Sequence, residues 1–421
     1  MIDITLLRNE DTRQACISAL KRRGVDGAQI DQLLEADVKW RELAEQVESL
    51  RAQKNTANEQ IQSAPDAQRQ TLIAEMREVS AQEKDLAGEL QSAAEQRDQL
   101  WRSLPNILSD DVPDGGEDDF EISYEGSVKQ PESVQRDYLS LLGDEIDLER
   151  AAKVSGSRFV YIKGQLARLE LALVSYVVDQ LTPQGFTPVI PPVLVKEDSM
   201  AGMGYLDQAG KEEVYRTQDN LYLVGTSEQA LGPMHSNEIL DLEKPLRYVG
   251  ISPCFRREAG SHGKDVKGIL RLHQFDKVEM FSFTRPEDSN TEHEFIVAQQ
   301  KAIMDALELP YRVVKLAAHD TGSPSAKTYD IQTWIPSERT YRETHSASNT
   351  TDYQARRLNI RTRTAEGKSV KAHLLNGTAI ALSRILIAII ENHQRPDGSI
   401  SIPQALHTYL PFTTIKSGAN K

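Results

Sequence analysis

The sequence predicts an α+β protein in which a long antiparallel helical hairpin precedes an antiparallel β-sheet with flanking helices. Three observations lead to this fold class. The N-terminal quarter has apolar residues at heptad spacing, an acidic stretch rich in glycine and proline follows it, and the remainder contains short strand-like runs joined by turns. With 421 residues, the chain is long enough for two or three domains.

Heptad spacing defines the helical hairpin. Apolar residues recur at alternating steps of three and four in two series, between positions 33 and 61 and between positions 72 and 104. A turn at 63–66 separates the series, so the helices are expected to pair as a hairpin roughly 45–50 Å long. A dimerisation coiled coil is the alternative, but two matched helices in one chain can satisfy each other. Polar residues interrupt the series at Lys54, Glu83 and Arg97.

An acidic stretch separates the hairpin from the rest of the chain. Pro105 ends the second helix because proline lacks a backbone N–H and disfavours helix in the residue before it. The residues that follow are acidic and contain glycine and proline, a composition typical of a linker. The sequence therefore predicts a helical arm at 1–104, a linker at 105–129 and a mixed domain at 130–421.

The mixed domain is expected to contain the antiparallel sheet. Helical spacing of apolar residues predicts an amphipathic helix over 166–181, and a second, more apolar helix is expected to follow residue 378. Neither a GxGxxG nor a Walker A motif is present, so any use of ATP requires a different scaffold. The predicted strands are 187–195, 221–224, 248–258 and 270–283, followed by a hairpin of 329–335 and 341–346.

Composition restricts the classes of function that fit. The chain has two cysteines, Cys16 and Cys254, which argues against a disulfide scaffold or a cysteine-based zinc site and indicates a reducing cytoplasm. No apolar run reaches membrane-spanning length, and the N-terminus has no apolar signal core. The net charge of −14 does not exclude a nucleic-acid partner, because local basic patches can still bind phosphates.

Two strand-like segments carry residues that suggest a binding site. Arg256 and Glu258 are two positions apart, so a strand would place them on one face beside a loop with lysines and glycines. This pattern suits a polyanionic ligand, although a surface ion pair is the simpler reading. Phe275 and Glu279 would share a strand face roughly 13 Å apart and could hold the two ends of an extended ligand. A half-exposed strand without a ligand is the simpler reading of this pattern.

Two further features stand out in the mixed domain. Arg384 lies alone in an apolar helix and therefore needs an anionic partner, either a structural carboxylate or a phosphate. The cluster Thr226, Ser227 and Glu228 follows an apolar strand. It offers hydroxyl and carboxylate groups for a polar ligand, or it simply caps a helix.

The order of these elements resembles that of the class II aminoacyl-tRNA synthetases. The segment GFTPVIPPVLV is similar to their motif 1, FRRE and its loop to motif 2, and LLNGTAIALSRILIAII to motif 3. The N-terminal hairpin, GTSE, HQFDKVEM and YRETHSASN, in this order, resemble the bacterial type of the seryl-tRNA synthetase family. The resemblance extends from the first helix to about residue 412.

The resemblance implies an activity and a set of partners. The expected reaction is activation of L-serine with ATP and Mg²⁺, followed by transfer to tRNA(Ser), and tRNA(Sec) is an expected second acceptor. The expected assembly is a cytoplasmic homodimer without a membrane partner, whose arm at 1–104 binds tRNA. Two alternatives remain: a paralogue that loads an amino acid onto a carrier protein, and a non-catalytic coiled-coil interaction protein.

The resemblance also implies roles for individual residues. The catalytic residues are Arg256, Glu343 and Arg384. Magnesium is held by Glu343 and Ser346. Serine is bound by Thr226, Ser227, Glu228, Arg256, Glu279 and Thr378. ATP is bound by Arg256, Arg257, Glu258, Leu272, Phe275, Glu343, Thr344, His345, Ser346 and Arg384.

Overall fold

A computed structural model describes residues 1–131, 136–207, 210–259, 268–364 and 366–416. The chain divides into two compact units, Ile2–Pro105 and Asn106–Lys421, with Met1 counted in the second. Across the described residues, no helix combines the length and the apolar character needed to cross a bilayer.

The first unit is the predicted helical hairpin with two short helices before it. The long helices have 37 and 38 residues, which corresponds to a length of about 55 Å each. Ala64 and Pro65 form the turn between them, where proline ends the helical hydrogen bonding. The helices of this unit are α1 Thr5–Arg8, α2 Glu10–Lys21, α3 Gly27–Ser63 and α4 Asp66–Ser103.

The polar residues that interrupt the heptads make contacts between the two long helices. Lys54 Nζ lies 2.9 Å from a carboxylate oxygen of Glu83, so two of the interruptions neutralise each other. The guanidinium of Arg97 lies 3.9 Å from the ring centroid of Trp40, in cation–π geometry. These pairs explain how polar residues are accommodated within the apolar seam.

The second unit contains the predicted antiparallel sheet with flanking helices. Its helices are α5 Tyr138–Leu142, α6 Leu148–Ser155, α7 Gly164–Leu181, α8 Glu197–Met203, α9 Gly210–Glu213, α10 Glu228–Leu231, α11 Ser289–Ala306, α12 Tyr353–Leu358 and α13 Leu382–Asn392. Its strands are β1 Glu121–Glu125, β2 Ile146–Asp147, β3 Tyr161–Ile162, β4 Phe186–Val189, β5 Leu194–Lys196, β6 Tyr215–Arg216, β7 Leu221–Leu223, β8 Leu246–Phe255, β9 Gln274–Thr284, β10 Tyr311–Lys315, β11 Lys327–Ile335, β12 Thr340–Asn349, β13 Arg361–Arg363, β14 Ser369–Lys371, β15 His373–Ala381, β16 Ile400–Ser401 and β17 Thr414–Ile415.

Eight of these strands form the main sheet, in the order β1-β10-β11-β12-β15-β9-β8-β4. All neighbouring pairs are antiparallel except β4 and β8, which are parallel. Helices α7, α11 and α13 pack their apolar residues against the sheet and form its main core. A sheet covered by helices in this way is the α+β arrangement that the sequence predicts.

Residues 105–129 differ from the predicted linker. Leu108 and Val112 are buried against Ala318, and β1 forms the edge of the main sheet by pairing with β10. The acidic side chain of Asp111 is 2.7 Å from Lys327 Nζ. The acidic composition suggested a solvated linker. Much of this segment is instead held on the second unit by its own apolar residues and by lysines on neighbouring strands.

The apolar helix near the C-terminus begins later than the sequence pattern suggests. Residues 378–381 belong to β15, where Ala381 pairs with Lys277 of β9, and α13 starts only at Leu382. An apolar run is compatible with a buried strand or a buried helix. Here, pairing with β9 decides in favour of a strand for its first residues.

Candidate active site

The register of the main sheet places one set of polar residues from β8, β9, β11, β12 and β15 on the same face. Directly paired residues point to the same side of a sheet, and residues two apart on a strand do so as well. We call this side the site face. Its cross-strand pairs are Ser252 with Lys277, Glu279 with Thr378, Asn376 with Ser348, and Ser346 with Asp330.

On the opposite face, β9, β12 and β15 pack against α11. Gly377 lies between Asn376 and Thr378 on the side of the strand that faces α11. A Cβ atom at position 377 would overlap with Ile296. Glycine is therefore required at this position by the close approach of the helix. The packing of Ile296 keeps Asn376 and Thr378 on the site face.

Glu228 lies at one end of the site face, in a buried position. Its carboxylate accepts a hydrogen bond from the Tyr205 hydroxyl at 2.6 Å, and its other oxygen accepts one from the Asn376 side-chain amide. Burial, followed by the nearby charge of Glu279, raises the pKa of Glu228, while Lys277 and the Tyr205 hydrogen bond act in the opposite direction. A buried carboxylate of this kind favours a cationic ligand.

Glu279 provides a second buried carboxylate next to Glu228. It forms an ion pair with Lys277, and the hydroxyl of Thr378 is 3.4 Å from one of its oxygens. Thr226 is also buried, and its hydroxyl oxygen has no hydrogen-bond partner among the described residues. A buried hydroxyl without a partner is costly, so a polar ligand at this position would stabilise the pocket.

Ser227 lies over Gly250 of β8, the residue that pairs with Glu279 across the sheet. Its side chain is fully buried and its hydroxyl lies 3.4 Å from the carbonyl oxygen of Gly250. The absence of a side chain at Gly250 leaves the space that Ser227 occupies. Ser227 therefore lies beside Glu279, and its contact with serine stays a prediction.

Arg256 and Phe275 lie together near the other end of the site face. The guanidinium carbon of Arg256 is 5.4 Å from the ring centroid of Phe275, and Arg256 Nε donates to the carbonyl oxygen of Gly225 at 3.1 Å. Phe275 is on β9 two residues from Lys277 and four from Glu279, so the three side chains share a face as predicted. The ring thus lies near the start of β9, and the carboxylate lies four residues further along the same strand.

Glu258 is not on a strand face with Arg256, which corrects the prediction from the sequence. Strand β8 ends at Phe255, and Glu258 has a positive φ of 50°. The carboxylate of Glu213 accepts the backbone N–H of Glu258 at 2.8 Å and stabilises this turn. The side chain of Glu258 instead pairs with Arg271 at 2.5 Å, a residue that the sequence did not single out.

A β-bulge brings Glu343 and Ser346 to the same face of β12. Residues three apart on a regular strand point to opposite sides. The pairing of β11 with β12 skips one position, because Ile331 faces His345 while Gln332 faces Glu343, which leaves Thr344 as the extra residue. The bulge therefore returns Glu343 to the side of Ser346.

Arg384 finds its anionic partner in Glu343. Its guanidinium donates to the backbone oxygen of Glu343 at 2.8 Å and lies 3.1 Å from a carboxylate oxygen of the same residue. The sequence left a structural carboxylate and a phosphate as alternatives. The structure supplies a carboxylate, and the half-buried position of Arg384 leaves part of the guanidinium accessible.

Asp330 is a buried acid on the site face opposite Ser346. One of its carboxylate oxygens has no hydrogen-bond partner among the described residues, and burial followed by the charge of Glu343 raises its pKa well above the ordinary value. A hard cation bound beside Glu343 and Ser346 would give this buried oxygen a partner.

Three of the residues expected to bind ATP have buried side chains. Thr344 bonds to Thr333 at 2.7 Å and to the ring of His345 at 2.9 Å, and burial lowers the pKa of His345 to about 4. Leu272 belongs to the apolar core. These three side chains lie in the protein interior, whereas the Arg257 side chain is exposed. The loop lysines Lys264 and Lys267 lie outside the described residues.

Sequence reasoning missed several polar residues that line the site. Lys277 and Asp330 lie in strands, and the alternation of apolar and polar residues along a strand does not single out an individual charged residue. Cross-strand position relative to Glu279 and Ser346 is the feature that identifies them. Tyr205 reaches Glu228 from the segment after α8, and no local pattern indicates this contact.

Comparison with known proteins gives matches over the whole chain. A family model described as Seryl-tRNA synthetase N-terminal domain matches residues 1–108, and tRNA synthetase class II core domain (G, H, P, S and T) matches residues 212–393. The chain is 44% identical over 417 residues to a serine–tRNA ligase of Nocardia farcinica, covering 98% of both chains. It is 45% identical over 420 residues to that of Beutenbergia cavernae, covering 97% of this chain and 98% of the relative.

A solved structure supports the same relationship. The crystal structure of seryl-tRNA synthetase from Pyrococcus horikoshii complexed with ATP is similar to this chain with a TM-score of 0.88 and 38% identity. The similarity covers 99% of this chain and 100% of the other.

Proposed function

This chain belongs to the seryl-tRNA synthetase family, whose members attach serine to tRNA with ATP, and we propose that seryl-adenylate forms on its site face. The observation that carries this proposal is the separation of two chemistries along β9. A buried acidic pocket at Glu228 and Glu279 suits an ammonium group, and Arg256 and Phe275 suit the α-phosphate and adenine. The matches along the full chain leave the carrier-protein and non-catalytic alternatives without support.

The activation step requires no general base. The carboxylate of serine is ionised at neutral pH and is itself the nucleophile that attacks the α-phosphorus of ATP, releasing pyrophosphate. Arg256 stabilises the negative charge that develops on the α-phosphate in the transition state, as a preorganised donor does. In our proposal Phe275 stacks on adenine and Arg384 binds the terminal phosphates, so the protein contributes mainly orientation and charge.

We propose that Glu343 and Ser346 hold magnesium, which supplies charge neutralisation to the phosphates when it is bound. Among the described residues there is no group of three His, Cys, Asp or Glu side chains suited to a metal ion. Magnesium is commonly held by one or two carboxylates together with substrate phosphates, so the residues present fit this ion. The unpartnered oxygen of Asp330 provides a further oxygen atom on the site face opposite Ser346.

Ser346→Ala is expected to raise the magnesium concentration needed for half-maximal pyrophosphate exchange by about 5–10-fold, because the ion loses one oxygen ligand. The readout besides activity is the affinity for Mn²⁺ in the presence of ATP, measured by electron paramagnetic resonance. Ser348→Ala is the matched control, because Ser348 is on the same face but bonds to Thr328 at 2.9 Å. Equal metal affinity in wild type and Ser346→Ala would remove Ser346 from the metal site.

Specificity for serine is proposed to arise from the polar pocket around Thr378 and Glu279. A site that must hydrogen-bond a hydroxyl group rejects analogues without it by about 10⁴–10⁵, because its buried polar groups are left unpaired. Alanine and glycine are discriminated in this way, and threonine is excluded by its additional methyl group.

Glu279→Ala is expected to raise the KM for serine by about 100-fold and the KM for ATP by less than threefold. The reason is that Glu279 is buried in the proposed amino-acid pocket, so its removal leaves Lys277 without its partner where serine binds. Pyrophosphate exchange with serine and ATP varied separately measures both constants. An equal change in both, or in neither, would show that Glu279 is not at the amino-acid end of the site.

We propose that the helical arm binds tRNA, which the family resemblance implies. Lys39 and Arg77 have exposed side chains on α3 and α4 and can contact phosphates even though the whole chain is acidic. Recognition of helical RNA depends mostly on shape and backbone contacts. Charging of tRNA(Sec) in addition to tRNA(Ser) is part of the proposal, and the same enzyme assayed with both purified tRNAs tests it.

We also propose a homodimer located in the cytoplasm. Ile190, directly after the edge strand β4 of the main sheet, has 85% of its surface exposed, and Leu171 on α7 has 69% exposed. Exposed apolar residues at a sheet edge favour contact with a second copy. Cys16 and Cys254 are both free and buried, which is compatible with a reducing compartment.

A further inference from the structure

Glu228 is held by donors from two separate elements, and one of them is a tyrosine outside the residues already discussed for substrate binding. Tyr205 follows α8, and its hydroxyl donates to one oxygen of Glu228 at 2.6 Å. Asn376 on β15 donates to the other oxygen. Each carboxylate oxygen can accept more than one hydrogen bond, so Glu228 keeps acceptor capacity for a ligand.

The ring of Tyr205 is fixed by packing, which gives its hydroxyl a defined direction. It packs against two apolar clusters, one around Met203 and Leu358 and the other around Met200 and Val224. A phenylalanine could fill the same space. The contribution of the hydroxyl to Glu228 can therefore be separated from the contribution of the ring to the core.

We propose that Tyr205 is a positioning residue for the amino-acid site: its hydroxyl aims the carboxylate of Glu228 and favours the ionised form that binds the serine ammonium group. This inference rests on the proposed function, in which Glu228 contacts serine. A hydrogen bond donated to a carboxylate stabilises its charged form. The ionised form of Glu228 needs this stabilisation because the residue is buried next to a second acid, Glu279.

The electrostatic surroundings of Glu228 set the direction of the expected pH effect. Glu279 disfavours its ionisation, whereas Lys277, Arg256 and the Tyr205 hydroxyl favour it. Loss of the hydroxyl removes one stabilising donor and raises the pKa of Glu228. A smaller fraction of the enzyme is then ready to bind serine at a given pH, so the acid limb of kcat/KM for serine moves to higher pH.

Tyr205→Phe is expected to raise the KM for serine about tenfold, the usual effect of losing a hydrogen bond to a charged group. The values of kcat and of the KM for ATP should stay within about twofold, and the acid limb should shift upward. Pyrophosphate exchange over a range of pH measures all of these quantities. Tyr248→Phe is the matched control, since it removes a hydroxyl that bonds to His235 at 3.0 Å.

A double-mutant cycle with Glu228→Gln distinguishes failure of this inference from failure of the proposed function. If Tyr205 acts through Glu228, Tyr205→Phe has little additional effect on the KM for serine in the Glu228→Gln background. If the two effects multiply, or if Tyr205→Phe alone changes nothing while Glu228→Gln weakens serine binding, the role of Tyr205 is refuted. If Glu228→Gln leaves the KM for serine unchanged, the placement of serine at Glu228 is itself wrong.

Discussion

Replacement of Arg256 by alanine is expected to lower serine-dependent pyrophosphate exchange by about 10²–10³-fold or more while the protein remains folded. Arg256 is next to Phe275 and is anchored by its bond to the Gly225 carbonyl oxygen, so its guanidinium is preorganised. Removal of one preorganised charge-stabilising donor typically costs this factor in kcat. Arg256→Lys should recover only part of the rate, because lysine lacks the planar fork.

The fold of the Arg256 variants is checked by circular dichroism and thermal unfolding. Arg216→Ala provides a control for the loss of one positive charge, because Arg216 is an exposed residue of β6 with its side chain near Asn220. It should leave exchange within about twofold of the wild type. Near-normal exchange in Arg256→Ala would mean that the phosphates bind elsewhere and that the site has been assigned wrongly.

Removal of the first unit, residues 2–105, is expected to abolish tRNA charging nearly completely and to preserve serine activation. The whole unit is removed rather than the two long helices alone, because Arg8 in α1 pairs with the buried Asp37 of α3 at 2.6 Å. Residues 2–28 would otherwise lose their packing partner. The residues proposed to bind serine and ATP all belong to the second unit.

Both activities are measured on the same deletion protein, with light scattering as a control. A mass of two copies is expected for the deletion protein and for the wild type, whose chain has a mass of 47.1 kDa. In the full-length chain, Arg77→Glu should weaken tRNA binding and reduce its salt dependence, whereas Arg77→Lys should not. Loss of exchange in a folded deletion protein would make the arm part of the catalytic unit, and unchanged charging would refute its role in recognition.

Much of the fold follows directly from local sequence patterns. The heptads and Pro65 predict the two long helices and their turn, and apolar spacing predicts α7. The order of the motifs along the chain is sufficient to identify the family. Local patterns succeed here because they depend on residues close together in sequence, where helical and strand periodicities are regular.

Predictions based on regular periodicity fail where the backbone departs from it. Glu258 leaves the strand through a positive φ that depends on Glu213, a residue 45 positions away. The bulge at Thr344 depends on pairing with β11. The start of α13 depends on pairing of the preceding residues with β9. Each of these features is decided by a non-local hydrogen bond.

The sequence by itself determined the fold class, the family and the types of residue available for the chemistry. Only the tertiary structure decided which of them meet. Tyr205 and Asn376 reach the same carboxylate of Glu228 from segments far apart in the chain, and the strand register brings Asp330 opposite Ser346. The physical reason is that burial and pairing of polar groups depend on how strands align across the sheet, which short-range patterns do not specify.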